Sequence, residues 1–104
     1  MVINNLECIS NLTKTEKEAI SELINITRQR LGSLIKEIIL FGSKVNGKSD
    51  EFSDIDILFV LDKVSWEIKE LISGIAADEN IKNGVLISTL RYSIDDWENP
   101  VIKS

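Results

Sequence analysis

The sequence predicts a single domain of the α/β (α+β) class, in which a small mixed β-sheet packs against helices. Apolar residues at helical spacing alternate with short β-branched runs, which gives the element order α-β-β-α-β-α. With 104 residues, 43% of them hydrophobic and 28% charged, the chain can bury one core and lacks a composition typical of disorder. No repeat, low-complexity segment or linker divides it. The predicted domain therefore spans residues 1–104.

The first predicted helix spans residues 13–31. Capping-box patterns that begin at Thr13 and Thr15 mark its start, and Gly32 is suited to end it. Its inner face is predicted from residues that recur at helical spacing, namely Ala19, Ile20, Leu23, Ile24, Thr27 and Leu31.

Two strands are predicted after this helix. Residues 34–41 form a short β-branched run that Gly42 halts. Residues 54–61 form a second run, which is apolar apart from Asp54 and Asp56. Because the rest of that run is expected to be buried, the two aspartates are candidates for a functional role.

The second half of the chain predicts a helix, a strand and a further helix. Ser65 is expected to cap the first of these, residues 80–84 to form a turn, and residues 85–90 to form the third strand. Ser93 is expected to start the last helix and Pro100 to stop it. The inner face of the longer helix is predicted to comprise Trp66, Ile68, Leu71, Ile72, Ile75 and Ala76.

The composition excludes several classes of function. A net charge of −5 without a stripe of Lys and Arg makes duplex nucleic acid a poor partner. The absence of histidine excludes Ser-His and Cys-His dyads and histidine-bearing zinc sites. The chain has one cysteine, Cys8, which excludes an internal disulfide. It contains no run of about 18 apolar residues, the length that a membrane-spanning helix requires. Without a signal peptide pattern at the N-terminus, a cytoplasmic location is expected.

The segment FGSKVNGKSDEFSDIDI, residues 41–57, fits two templates. Its first half matches the P-loop pattern G-x-x-x-x-G-K-[ST]. A P-loop, however, requires a long helix directly after the glycine loop, and only residues 50–53 separate Ser49 from the next apolar run. The spacing of the aspartates does not fit a calcium-binding loop either. The P-loop interpretation is therefore rejected.

The second template is a D-x-D pair on a strand. Alternate strand residues share a face, so Asp54 and Asp56 are expected to lie side by side. Their mutual repulsion favours a cation, and pairs of carboxylates suit Mg²⁺ bound together with substrate phosphates. Gly42 and Ser43, at the end of the neighbouring strand, could hold a phosphate oxygen. The alternative, a solvated strand face beside an ordinary turn, leaves the apolar neighbours of the aspartates unexplained.

The combined segment GSKVNGKSDEFSDIDILFVLD resembles the G-S-x-x-x-G…S-D-I-D-[IL] signature of the polymerase-β-like nucleotidyltransferase superfamily, and in particular its minimal class. The resemblance implies that fold and the transfer of a nucleoside monophosphate from a nucleoside triphosphate, with ATP expected, to a hydroxyl acceptor. It also implies that Gly42 and Ser43 bind the triphosphate and that Asp54 and Asp56 are the catalytic ligands of Mg²⁺, with Mn²⁺ as an alternative ion.

Two departures from the superfamily pattern bear on activity. Val45-Asn46 stands where members usually have Ala-Arg, so Lys44 or Lys48 would have to supply the positive charge to the nucleotide. Active members also commonly carry a third carboxylate on a later strand. Residues 85–90 contain none, and Ser88 and Thr89 cannot replace it as bases.

Three hypotheses of function follow. The first is a Mg²⁺-dependent nucleotidyltransferase that modifies a protein partner; the resemblance implies a HEPN-domain protein in a toxin–antitoxin pair. The second, motivated by the missing carboxylate, is a weakly active or inactive nucleotide-binding module that acts by binding such a partner. The third, an aminoglycoside-type transferase, ranks last because 104 residues leave little room for a drug-binding domain. A homo-oligomer is left open.

Overall fold

The computed structural model describes residues 12–41 and 54–98. In these residues two long helices and one short helix accompany a three-stranded sheet. The elements are α1 (Lys14–Leu31), a 3₁₀ turn (Gly32–Leu34), β1 (Ile35–Phe41), β2 (Ile55–Leu61), α2 (Trp66–Asn83), β3 (Ile87–Ser93) and α3 (Ile94–Glu98). This order and the mixed sheet confirm the predicted α/β class.

The start and end of α1 follow from its capping residues. The Thr13 hydroxyl accepts a hydrogen bond from the Glu16 N–H at 3.1 Å, and the Glu16 carboxylate accepts one from the Thr13 N–H at 2.9 Å. This reciprocal pair satisfies two amide groups that the helix leaves without a partner. At the other end Gly32 takes a positive φ of 53° and donates its N–H to the Arg28 carbonyl.

The sheet has the order β1-β2-β3, with β2 in the centre. Strands β1 and β2 are antiparallel, whereas β2 and β3 are parallel. A parallel connection requires a crossover, which α2 provides. As a result, the C-terminal end of β1 and the N-terminal ends of β2 and β3 meet at one edge of the sheet.

The two faces of β2 differ in what covers them. One face packs against α1 and α2 and is fully buried at Ile55, Ile57, Phe59 and Leu61. Each such side chain stabilises the fold by roughly 1.5–3 kcal/mol. The helical side of this core comprises Ala19, Ile20, Leu23, Ile24, Ile68, Ile72, Ile75 and Ala76. Asp56 belongs to the opposite face, which it shares with the buried Leu58 and Val60.

The structure corrects the predicted boundaries after α2. The helix continues through the predicted turn at residues 80–84 as far as Asn83, and Gly84 ends it in the left-handed conformation at φ 64°. Residues 85 and 86 form a short connection, and the third strand spans residues 87–93 rather than 85–90. The turn prediction was wrong because only Gly84 departs from helical geometry.

Trp66 is a second correction. It was predicted on the inner face of its helix, but its side chain is 71% exposed. Trp66 is the first helical residue after the cap Ser65, whose hydroxyl accepts the Ile68 N–H at 3.2 Å. The predicted core positions Ile68, Ile72, Ile75 and Ala76 are buried, and Leu71 is partly buried against them.

None of the helices in the described ranges is both long and apolar enough to cross a membrane.

Candidate active site

The two aspartates of the D-x-D pair lie where the three strands meet at one edge of the sheet. Asp56 is the second residue of β2 and pairs with Phe41, the last residue of β1, and with Ser88, the second residue of β3. Asp54 directly precedes β2 and is exposed, whereas Asp56 is partly buried. The structure therefore places both carboxylates beside the point at which β1 ends.

The carboxyl of Asp56 is in an unfavourable electrostatic environment. Its pKa is raised, first because burial disfavours the charged form and second because the negative charge of Asp54 is close. A bound cation would relieve both effects. The smaller of the two causes, the charge of Asp54, agrees with the side-by-side arrangement expected for the D-x-D pair.

A hydroxyl from the neighbouring strand completes this group of oxygen atoms. Ser88 Oγ donates a hydrogen bond to Asp54 Oδ2 at 3.2 Å, across the parallel pair of β2 and β3. We refer to Asp54, Asp56 and Ser88 as the edge cluster. Its three side chains all offer hard oxygen ligands, and two of them are carboxyl groups.

The backbone around the edge cluster is held by contacts from α2 and from the connection to β3. Asn80 Oδ1 accepts the Ile87 N–H at 2.9 Å, and Asn80 Nδ2 donates to the Ile87 carbonyl at 3.2 Å. The Ile55 N–H donates to the Leu86 carbonyl at 2.8 Å. These three bonds fix the first residues of β2 and β3 relative to each other.

The ligands that the edge cluster offers fit Mg²⁺. Mg²⁺ typically combines one or two protein carboxylates with water and substrate phosphates, and two carboxylates are what this edge offers. A cage made entirely of protein is not present: within residues 12–41 and 54–98 no three acidic, histidine or cysteine side chains come together. Strand β3, with the sequence ISTLRYS, carries no third carboxylate.

Four of the predicted site residues lie outside the described residues. These are Gly42, Ser43, Lys44 and Lys48, and their nucleotide-binding roles stay predictions. The structure does bring the end of β1 opposite Asp56.

Sequence reasoning missed Ser88 and Asn80. Ser88 was considered only as a base, and Asn80 was assigned to a turn. The signal for Ser88 was its position as the second residue of a strand parallel to β2, but the incorrect strand boundary, residues 85–90, concealed that register. Asn80 could not be found because its two bonds reach across the connection to β3.

Comparison with known proteins agrees with this geometry. A family model described as "Nucleotidyltransferase domain" matches residues 20–100. Two curated proteins of Methanocaldococcus jannaschii are similar, and each bears the name "Putative protein adenylyltransferase". No solved structure matches.

The two relatives are matched over different lengths. The first is 49% identical over 47 residues, which is 45% of this chain and 47% of the relative, so that match spans about half of each. The second is 32% identical over 92 residues, covering 77% of this chain and 93% of the relative. The residues matched by the family model include β2 and the D-x-D pair. The chain belongs to the nucleotidyltransferase domain family.

Proposed function

We propose that the chain transfers a nucleoside monophosphate from a Mg²⁺-bound nucleoside triphosphate, with ATP as the expected nucleotide, to a hydroxyl group on a protein. The observation that carries the proposal is the pair Asp54 and Asp56 at the sheet edge of a nucleotidyltransferase domain, with the pKa of Asp56 raised. The names of the two relatives support ATP as donor and a protein as acceptor.

The proposed roles of the residues follow from their charge and position. Asp54 and Asp56 would hold the ion, and Gly42, Ser43, Lys44 and Lys48 would bind the triphosphate. The ion, when bound, neutralises charge on the phosphates. In the transfer, the acceptor hydroxyl gives up its proton to water and its oxygen forms a bond to the α-phosphorus. The bond from that phosphorus to the oxygen that bridges it to the β-phosphate breaks, and pyrophosphate leaves.

A second candidate function is a nucleotide-binding module that is weakly active or inactive and acts by binding its partner. The absence of a carboxylate on β3 favours it, since nothing on that strand can take the proton of the acceptor hydroxyl. If the missing carboxylate raised the activation free energy by ~4 kcal/mol, the rate would fall about a thousandfold. A HEPN-domain protein is the partner to test first for both functions.

The two functions are separated by a transfer assay. The protein is incubated with Mg²⁺ and α-³²P-ATP together with the partner, and label on protein is measured. We expect transfer by the wild type and its loss in Asp54→Asn. Asp62→Asn is the matched control, because Asp62 is exposed at the other end of β2. No transfer by the wild type, with partner binding that survives Asp54→Asn, would establish the binding module instead.

A further inference from the structure

The hydrogen bond between Ser88 and Asp54 joins two strands at the proposed site. Asp54 precedes β2 and is exposed, so its side chain would otherwise be free to rotate in water. It is also only two residues from Asp56 along an extended segment, a spacing that puts both carboxylates on the same side of the chain. Repulsion between the two carboxylates therefore tends to move Asp54 away, and the bond from Ser88 Oγ to Asp54 Oδ2 opposes this movement.

Ser88 itself is held in place by the backbone. It pairs in register with Asp56, one residue after the position at which Asn80 binds both backbone groups of Ile87. The preceding residue, Leu86, accepts the Ile55 N–H at 2.8 Å. Ser88 thus belongs to a segment that makes hydrogen bonds both to β2 and to α2.

We propose that Ser88 is a positioning residue, whose hydroxyl holds the Asp54 carboxylate beside Asp56 and so prepares the pair to bind a divalent ion with the nucleotide. The inference rests on the proposed function. Oxygen or nitrogen donors that orient a ligating carboxylate commonly contribute a factor of about 10–100 to metal affinity. Because Ser88 donates to one oxygen of Asp54, it constrains the carboxylate without adding charge to the site.

The proposal is tested with an ion and a nucleotide that cannot react. Binding of Mn²⁺ is followed by electron paramagnetic resonance in the presence of α,β-methylene ATP. We expect Ser88→Ala to weaken Mn²⁺ binding by roughly tenfold. Ser88→Thr keeps the hydroxyl on a strand position that tolerates a β-branched residue, so it restores binding.

A matched control separates the site from the strand. Thr89 is the next residue of β3, and its Oγ1 accepts from Arg91 Nη1 at 2.9 Å, away from the aspartates. Thr89→Val removes a hydroxyl from the same strand and is expected to leave Mn²⁺ affinity unchanged. The thermal midpoint of each variant without metal shows whether the fold is retained.

The outcomes distinguish this inference from the proposed function. Wild-type affinity in Ser88→Ala, or a loss in Ser88→Thr as large as that in Ser88→Ala, would overturn the positioning role and leave the proposed function intact. If the wild type binds no Mn²⁺ with the nucleotide, the proposed function fails and the positioning role fails with it.

Discussion

At the residue scale, the chemistry of the site comes down to where carboxylates are placed. Asp56 lies on a face of β2 whose next two residues, Leu58 and Val60, are buried. Water therefore solvates its charge less well, and the charge of Asp54 adds to the effect. A bound cation would stabilise such a pair, since the two carboxylates repel each other.

Replacing Asp56 is expected to stabilise the protein when metal is absent. The raised pKa means that the folded state binds a proton more readily than the unfolded state. Its stabilising contribution is therefore complete below the unfolded pKa of about 3.9 and is lost as the pH rises through the folded pKa. At neutral pH with a chelator, Asp56→Asn should raise the thermal midpoint, and the rise should be small because solvent screens the partly exposed pair.

The pH dependence checks the cause of this gain. The difference between Asp56→Asn and wild type should shrink as the pH falls below the unfolded pKa of about 3.9, where the wild-type carboxyl is protonated in the folded and the unfolded state. Asp62→Asn, at an exposed residue directly after the same strand, is the control for this comparison. A gain that is equal at both pH values would mean that charge is not its source.

At the scale of elements, α1 and α2 are joined by a polar cluster on their surface. Glu79 is only 2% exposed, and its Oε1 accepts from Asn83 Nδ2 at 2.6 Å. Burial and the nearby Glu22 raise the pKa of Glu79. The hydrogen bond from Lys82, at 3.0 Å, lowers the pKa of Glu22. The helix contact thus contains one carboxylate paired with a lysine and one whose pKa is raised by burial and by a second carboxylate.

Glu79→Gln is accordingly expected to stabilise the protein at neutral pH. The amide keeps an acceptor for Asn83 and removes the buried charge. Because the pKa of Glu79 is raised, wild type loses stability as the pH rises through that pKa, and the variant does not. Thermal midpoints at about pH 4 and pH 7 test this. Glu70→Gln, an exposed position on α2, is the control, and an equal rise there would contradict the role of burial.

The cap of α1 provides a third test. Thr13 makes the reciprocal bonds with Glu16, whereas Thr15 lies inside the helix and is exposed. Thr13→Ala should lower the free energy of unfolding by about 1 kcal/mol, measured by chemical denaturation. Thr15→Ala should not lower it and should raise it slightly, because alanine is the better helix former. Equal losses in the two variants would mean that the capping box is not the stabilising feature.

The boundaries of helices and strands could be predicted where neighbouring residues in the sequence determine them. The cap at Thr13 and the core positions of α1 follow from local pattern, and both are confirmed. The end of α2 and the start of β3 depend on Asn80, which bonds to a residue seven positions away. No local pattern contains that bond, so the turn and strand boundaries were wrong there and Ser88 received no role.

At the scale of the molecule, the fold brings distant segments to one edge of the sheet. The D-x-D pair could be recognised from sequence because its two residues and their apolar neighbours are adjacent in the chain. The partnership with Ser88 joins residues 34 positions apart and needs the parallel register of β2 and β3. Helices α1 and α2 cover one face of the sheet, and the carboxylates lie at the end of the other.

The most direct test of the central claim needs no acceptor protein. Thermal unfolding is followed with and without Mg²⁺ and ATP for wild type, for Asp54→Asn with Asp56→Asn, and for Asp62→Asn. With ligand at about 100 times its Kd, wild type and Asp62→Asn should gain ~2.7 kcal/mol, and the gain should require both Mg²⁺ and ATP. The double variant should gain nothing. A gain that survives in the double variant, or no gain in wild type, would contradict a metal–nucleotide site at Asp54 and Asp56.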